Sequence, residues 1–266
     1  MEVCLIAREE PRPVSRRDGT TMDLCEAVVG IEEELCRLVC WQPELIENLP
    51  EGSSIRITGA LEKYRHSARE FVVDETSTIS PGEQAIGYHL NNIDEIREEG
   101  IYSVDGTVRS VQPARTFTRR DGQISHVKNI VIAGGDCEIR VVIWGERALM
   151  PVLPGEKTGI YLGKARVGRF GDLELHVGAG SFLRVIPGEH QEEIEMTGTV
   201  IATRHGLFID DGDHIFLIDG NLPHGHEFRV RGIVSGQRLA LLHAEPVRQE
   251  VESVRDRALA IRGAPP

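Results

Sequence analysis

One stretch of this chain is written twice, and that repetition limits the folds available to it. A shift of 103 residues lays Arg12 on Arg115, Arg16-Arg17-Asp18-Gly19 on Arg119-Arg120-Asp121-Gly122, Arg37 on Arg140 and Trp41 on Trp144. One more residue of shift lays Leu49-Pro50 on Leu153-Pro154, Gly59 on Gly163 and Arg65 on Arg169. A tandem duplication is the simplest cause. The identities fall on arginine and tryptophan, whereas apolar positions drift (Leu38 against Val141, Cys40 against Ile143). Packing alone would produce the reverse.

The second copy shows what kind of element is repeated. Asp121-Gly122 stands between β-rich runs, where glycine takes positive φ cheaply, so it predicts a hairpin-type turn. Val127–Ala133 and Glu138–Trp144 then read as strands. In the second run Ile139, Val141 and Ile143 alternate with Arg140, Val142 and Trp144, and a period of two sends the sets to opposite faces. The first set makes a core. The other carries a guanidinium and an indole, which is what a surface needs to hold the phosphates and bases of a single strand. The plain alternative is that both tryptophans pack at the edge of a core.

Composition narrows the function. Aromatics make up 5% of the chain and Gly occurs 28 times, which suits several small, turn-rich β domains better than one large core. The formal charge is −12, from 30 Lys and Arg against 42 Asp and Glu. That excludes a histone-like binder, but a local cationic groove remains open because fields are screened within about 8–10 Å. The cysteines (4, 25, 36, 40, 137) are odd in number and scattered, so they read as small core residues in a reducing compartment, with no zinc site. No basic leader and no long apolar run is present, which predicts a cytoplasmic protein with no membrane partner. His224-Gly225-His226 and Asp210, Asp211 and Asp213 sit in apparent turns and are expected to bind no metal. No nucleophile–base pair or phosphate loop emerges, so neither catalysis nor a cofactor is expected.

Along the chain, residues 1–80 form the first copy, 81–100 a linker with a helical piece over Asn92–Glu99, and 101–187 the second copy. Residues 192–248 read as a leaner third β domain, punctuated by Asp211-Gly212, Asp219-Gly220 and Ser235-Gly236. Residues 249–266 complete an amphipathic helix whose stripe runs Val247, Val251, Val254, Ala258, Ile261. Short helices are expected over Pro43–Asn48 and before Pro151.

The order R-x-F-x-R-R-D-G, a β-run, then I-R-V-V-I-W resembles the OB-fold domains of archaeal replication protein A. The resemblance is good over 101–187, fair over 1–80 and weak over 192–248. Where that family usually has an Asp-x-Thr-Gly turn before I-R-V, this chain has Ala133-Gly134-Gly135-Asp136-Cys137 and, in the first copy, Gly30-Ile31-Glu32-Glu33-Glu34. The resemblance implies an all-β array of three tandem five-stranded OB barrels with short helices and a C-terminal helix. It further implies single-stranded DNA binding, without strong sequence preference, in replication, recombination and repair. The alternatives are an RNA-binding OB protein of translation or RNA turnover, and a protein-interaction scaffold.

The expected nucleic-acid contacts are Arg115, Phe117, Arg119, Arg120, Lys128, Arg140, Trp144, Arg166, Arg169 and Phe170 in the second copy. Those in the first are Arg12, Arg16, Arg17, Arg37, Trp41, Lys63, Tyr64 and Arg65. For the cations of the last hairpins, groove wall and plain surface remain equal readings. The third domain lacks these groups and is expected, with the helix, to dock other replication or repair proteins or to make a homo-oligomer. Packing of the helix back on its own barrel is the other reading.

Overall fold

The computed structural model describes residues 1–15, 19–65, 68–188 and 190–247, with Arg65 by its backbone alone. The expected C-terminal helix over 249–266 therefore lies outside the described residues. The chain divides into two compact units, Met1–Ile186 and Pro187–Pro266.

The first unit contains both copies. The first copy runs β1 (Glu2–Arg8), β2 (Arg12–Ser15), β3 (Thr21–Ile31), β4 (Glu34–Cys40), β5 (Ser54–Thr58), β6 (Leu61–Arg65), β7 (Ala68–Val73) and β8 (Thr78–Pro81). Strand β1 pairs with β3 and β5, β3 with β4, β4 with β7 in parallel, and β7 with β6. Strands β5 and β6 are halves of one path, interrupted at Gly59, whose φ is +78°. The path closes into a five-stranded barrel in which the third and fifth strands run parallel, the connectivity of an OB fold.

The second copy repeats it with β9 (Gly100–Val111), β10 (Arg115–Thr118), β11 (Ile124–Gly134), β12 (Cys137–Trp144), β13 (Lys157–Val167), β14 (Leu173–Val177) and β15 (Phe182–Ile186). Here the fourth strand, β13, is continuous, but its register slips between Ile160 and Gly163, at the position matching the break in the first copy. Two features went unanticipated. Segments β2 and β10 extend the hairpins of β3 and β11, and β8 and β15 add an edge strand to β5 and β13. The short helices are single 3-10 turns at Pro43–Leu45, Ile93–Glu95 and Gly145–Leu149.

Strand β3 explains how the copies are held. Its inward residues Cys25, Ala27, Val29 and Ile31 enter the first core with Cys36, Leu38 and Cys40. Burial pushes the thiols of Cys25, Cys36 and Cys40 up to about 11, so they stay neutral and inert. Its outward residues are buried as well. Val28 joins Ala7, Tyr161, Leu162 and Phe182 in an apolar cluster that bridges the two barrels. Gly30 is covered by Tyr88, where an added Cβ would lie 2.6 Å from the tyrosine Cβ. The segment between the barrels is thus strapped down rather than free. Gly82 N–H donates to the Ser54 carbonyl, His89 N–H to the Glu33 carbonyl and Asn91 N–H to the Ser103 carbonyl. The strap crosses the β3–β4 turn, where Glu32 and Glu33 have φ of +49° and +73°, a conformation that costs a non-glycine residue about 1–3 kcal/mol. A core of Ile130, Ile132, Val141, Ile143, Ile160 and Leu175 fills the second barrel. Each such side chain contributes about 1.5–3 kcal/mol on burial.

The second unit is a closed barrel, β16 (Glu192–Thr203), β17 (Gly206–Asp210), β18 (Ile215–Asp219), β20 (Arg238–Pro246) and β19 (Glu227–Ser235), in that spatial order. Strands β18 and β20 are parallel, so the connectivity is the same a third time. Its core is Met196, Val200, Ile209, Ile218, Phe228, Val230 and Leu239.

Candidate nucleic-acid interface

In the second barrel, antiparallel register assembles the site. Val127 faces Arg115 on one side and Trp144 on the other, so cation, aliphatic step and indole form one row across β10, β11 and β12. Phe117 meets Trp144 edge-on, with ring centroids 6.0 Å apart and planes at 83°. On the other flank His176 of β14 lies edge to edge with the indole, nearly coplanar, with centroids 6.2 Å apart and planes at 19°. Trp144 Nε1 donates to His176 Nδ1 at 3.1 Å. The indole is still 36% exposed. Arg115, Arg119 and Arg120 are exposed on the hairpin above it.

The same row recurs in the first barrel, with a different environment. Arg12 pairs with Leu24, and Leu24 packs with Val14, Val39, Trp41 and Val72. Trp41 is half-buried in that patch and offers less free surface than Trp144. Arg16, Arg17 and the Arg65 side chain lie outside the described residues.

The repeated arginines do not stand free. Arg37 Nη1 lies 2.9 Å from Glu70 Oε2, Arg37 also holds Glu26, and Arg12 reaches Glu26 at 3.4 Å. Leaving the hairpin tips aside, two arginines and two carboxylates balance on the first face. Arg140 pairs with Glu174 at 3.3 Å, and Asn129 stands where the duplication would repeat Glu26. Counted the same way, Arg115 and Arg140 face one carboxylate, so the second face carries one more positive charge than the first. The glutamate partners were legible, since Glu70 and Glu174 repeat at the shift that aligns Gly59 with Gly163.

Lys128 is a correction. Its register partner is Ile143, a core residue, so strand parity turns it away from the row that carries Trp144. It is buried, and its Nζ donates to the Met150 carbonyl at 2.5 Å. Burial lowers its pKa, and it takes no part in the face. Val142, expected outside with Arg140 and Trp144, is also buried.

The last hairpins project from both barrels. Phe170 is 80% exposed at the β13–β14 tip beside Arg169, with Arg166 exposed on the same hairpin. Tyr64 and Lys63 are exposed on β6. Between the barrels lies an open cleft of about 770 Å³. Arg119 and Trp144 line it from the second barrel, and Arg12 and Arg37 from the first. Arg8, Arg147 and Arg184 also line it and were not anticipated, because nothing local marks them. Arg147 binds Glu9 and Arg184 binds Glu51, so both clamp the barrels together. Among the described residues no group of three or more His, Cys, Asp or Glu could hold a metal, and no helix is long and apolar enough to cross a membrane.

In the second unit the corresponding strands carry Phe208 and Leu217 as register partners, and Arg238 of β20 pairs with Asp219 of β18 at 3.3 Å. The ion pair between third and fifth strands is kept with its charges exchanged. No tryptophan is present there.

Comparison with known proteins points the same way. The chain is similar to an archaeal replication factor A. Identity to that protein of Methanothermobacter thermautotrophicus is 23% over 195 residues, which is 66% of this chain and 24% of the relative. The chain thus spans about a quarter of the relative's length. No family model matches. Among solved structures, a replication protein A heterotrimer bound to single-stranded DNA matches over 98% of this chain and 96% of its own, with 9% identity and a TM-score of 0.49. The HINb domain of p204 matches over 70% and 96%, with 15% identity and a TM-score of 0.47. Both scores are below 0.5, and the fold rests instead on the strand pairing above.

Proposed function

We propose that the chain binds single-stranded DNA across the outer faces of its first two barrels, in the service of replication and repair. The observation that carries this reading is Trp144. An indole held between Phe117 and His176, exposed beside the hairpin arginines Arg115, Arg119 and Arg120 and opening on a cleft shared by two barrels, is a stacking platform next to a phosphate track. Stacking tolerates any base, because every base has a π-face, so recognition by this platform is indifferent to sequence. Phe117, Arg115, Arg119, Arg120, Arg166, Arg169 and Phe170 belong to this surface. Arg12, Trp41, Lys63 and Tyr64 extend it over the first barrel, where Arg37 is structural. The similarity to a replication factor A supports the assignment to replication.

The test is a titration of the whole chain with an oligo-dT, alongside Trp144→Ala. The variant is expected to bind more weakly by about 1–3 kcal/mol, the usual worth of one base–aromatic stack. Competition with RNA and duplex of equal length is expected to leave the single-stranded DNA bound. Displacement by RNA would move the protein to RNA metabolism, and unchanged affinity in a folded Trp144→Ala would make the indole a packing residue.

A further inference from the structure

Building on that reading, we infer that His176 is a positioning residue for the binding face: it fixes the Trp144 indole in the orientation that receives a base. Trp144 Nε1 has only a proton to give, so the 3.1 Å contact requires a lone pair on His176 Nδ1. The ring must then be neutral with its proton on Nε2. That nitrogen is 3.6 Å from Glu174 Oε2, and Glu174 in turn holds Arg140. The parallel β12–β14 register sets this up, placing Val142 opposite His176 and Arg140 opposite Glu174. Nε2 makes no hydrogen bond, so the bond from the indole to Nδ1 is the one that orients the ring, with Phe117 on the far side of the indole.

The duplicated barrel shows what the histidine adds. The position matching His176 is Val72, which packs beside Trp41 with no group to bond an indole N–H. Trp41 is half-buried in that patch with Leu24, Val14 and Val39. Trp144, more exposed, is held by a directional bond, so it can be both fixed and available. Fixing it matters because immobilising a side chain on binding lowers affinity by about two- to tenfold, and a platform fixed beforehand avoids that loss.

Protonation breaks the arrangement. The groups facing His176 are Glu174 on its own strand, Arg140 on β12, and Lys164 and Arg166 on β13, with Lys164 its register partner. Burial holds the pKa of the imidazole below its usual value, Arg166 adding to that and Glu174 opposing it. The neutral ring is therefore the form present at pH 7, and the bond is lost as pH falls through the lowered pKa. Acid also creates a cation near the phosphate track, which by itself strengthens binding. Affinity against pH thus mixes two opposed effects, and the indole signal separates them.

The experiment uses the full chain labelled with ¹⁵N. Its two tryptophans give two indole N–H signals, assigned with Trp144→Phe. The Trp144 signal is expected to lose protection from solvent exchange as pH falls below about 6.5, the ordinary histidine value, while the Trp41 signal does not move. His176→Phe keeps an aromatic ring of similar size without an acceptor. It is expected to lose that protection at every pH and to bind oligo-dT about two- to tenfold more weakly at pH 7.5. His176→Asn puts an amide oxygen near Nδ1 and is expected to restore both, without the pH dependence. A Trp144 signal indifferent to pH and to His176→Phe overturns the inference, as does full affinity in His176→Phe. Should His176→Phe fail to fold, the wild-type titration and His176→Asn decide alone. If Trp144→Ala binds like wild type, the interface reading fails, while the indole signals still judge the bond itself.

Discussion

Arg37 Nη1 lies 2.9 Å from Glu70 Oε2 across the parallel β4–β7 pair, and the two side chains are 12% and 11% exposed. The second barrel repeats the pair as Arg140 and Glu174, at 3.3 Å, with Arg140 at 38%. The geometry is common to both, but the burial is not. Arg37→Ala strands Glu70 without a counter-charge, leaves Glu26 only the more exposed Arg12, and is expected to cost about 3–5 kcal/mol in urea denaturation. Arg140 is the more exposed arginine and a single carboxylate depends on it, so Arg140→Ala is expected to cost less, by at least about 1 kcal/mol. Equal losses would mean the first network is as solvated as the second.

The extra carboxylate on the first face, Glu26 against Asn129, makes the salt dependence uneven. Removing the charges of Arg115, Arg119 and Arg120 together is expected to flatten the log–log salt slope of oligo-dT binding by up to about two, at about 0.7 per single-strand phosphate released. Arg12→Gln, already shared with Glu26, is expected to change it by less than half of one such contact. A loss of affinity with no change of slope would show that the hairpin arginines do not meet phosphate.

Truncation separates the units. Residues 1–186 are expected to bind an oligo-dT within about threefold of the whole chain, and residues 187–266 at least about a hundredfold more weakly, the worth of losing two or so stacks of about 1–3 kcal/mol each. Titration of each piece by fluorescence anisotropy measures it. Tight binding by the second piece would return its barrel, with Phe208 and Arg238, to the interface.

The two barrels of the first unit are expected to melt together. Val28→Asp buries a carboxylate in the apolar cluster with Tyr161, Leu162 and Phe182 and offers it no cation there. Scanning calorimetry of residues 1–186 is expected to show one transition for the wild type and two for the variant, because each barrel keeps its own core. A single transition in both would place the coupling in the Arg147–Glu9 and Arg184–Glu51 bridges instead.

The sequence by itself determined what is periodic. Alternation set Ile139, Val141 and Ile143 inward, Asp121-Gly122 marked a hairpin, and spacing of 103–104 residues declared two copies before any coordinates. Asp211-Gly212, Asp219-Gly220 and Ser235-Gly236 likewise marked where strands of the third barrel end. Tertiary structure alone decided which of the outward groups are available. Arg37 met Glu26 and Glu70, Lys128 fell on the inner parity of β11, and Trp41 sank among Leu24, Val39 and Val72 while Trp144 stayed out. Arg147 and Arg184 turned out to be clamps, reaching carboxylates 138 and 133 residues away. Local periodicity fixes which face of a strand a side chain takes. What that face meets depends on parallel pairings and barrel docking between distant segments, and these leave almost no local trace.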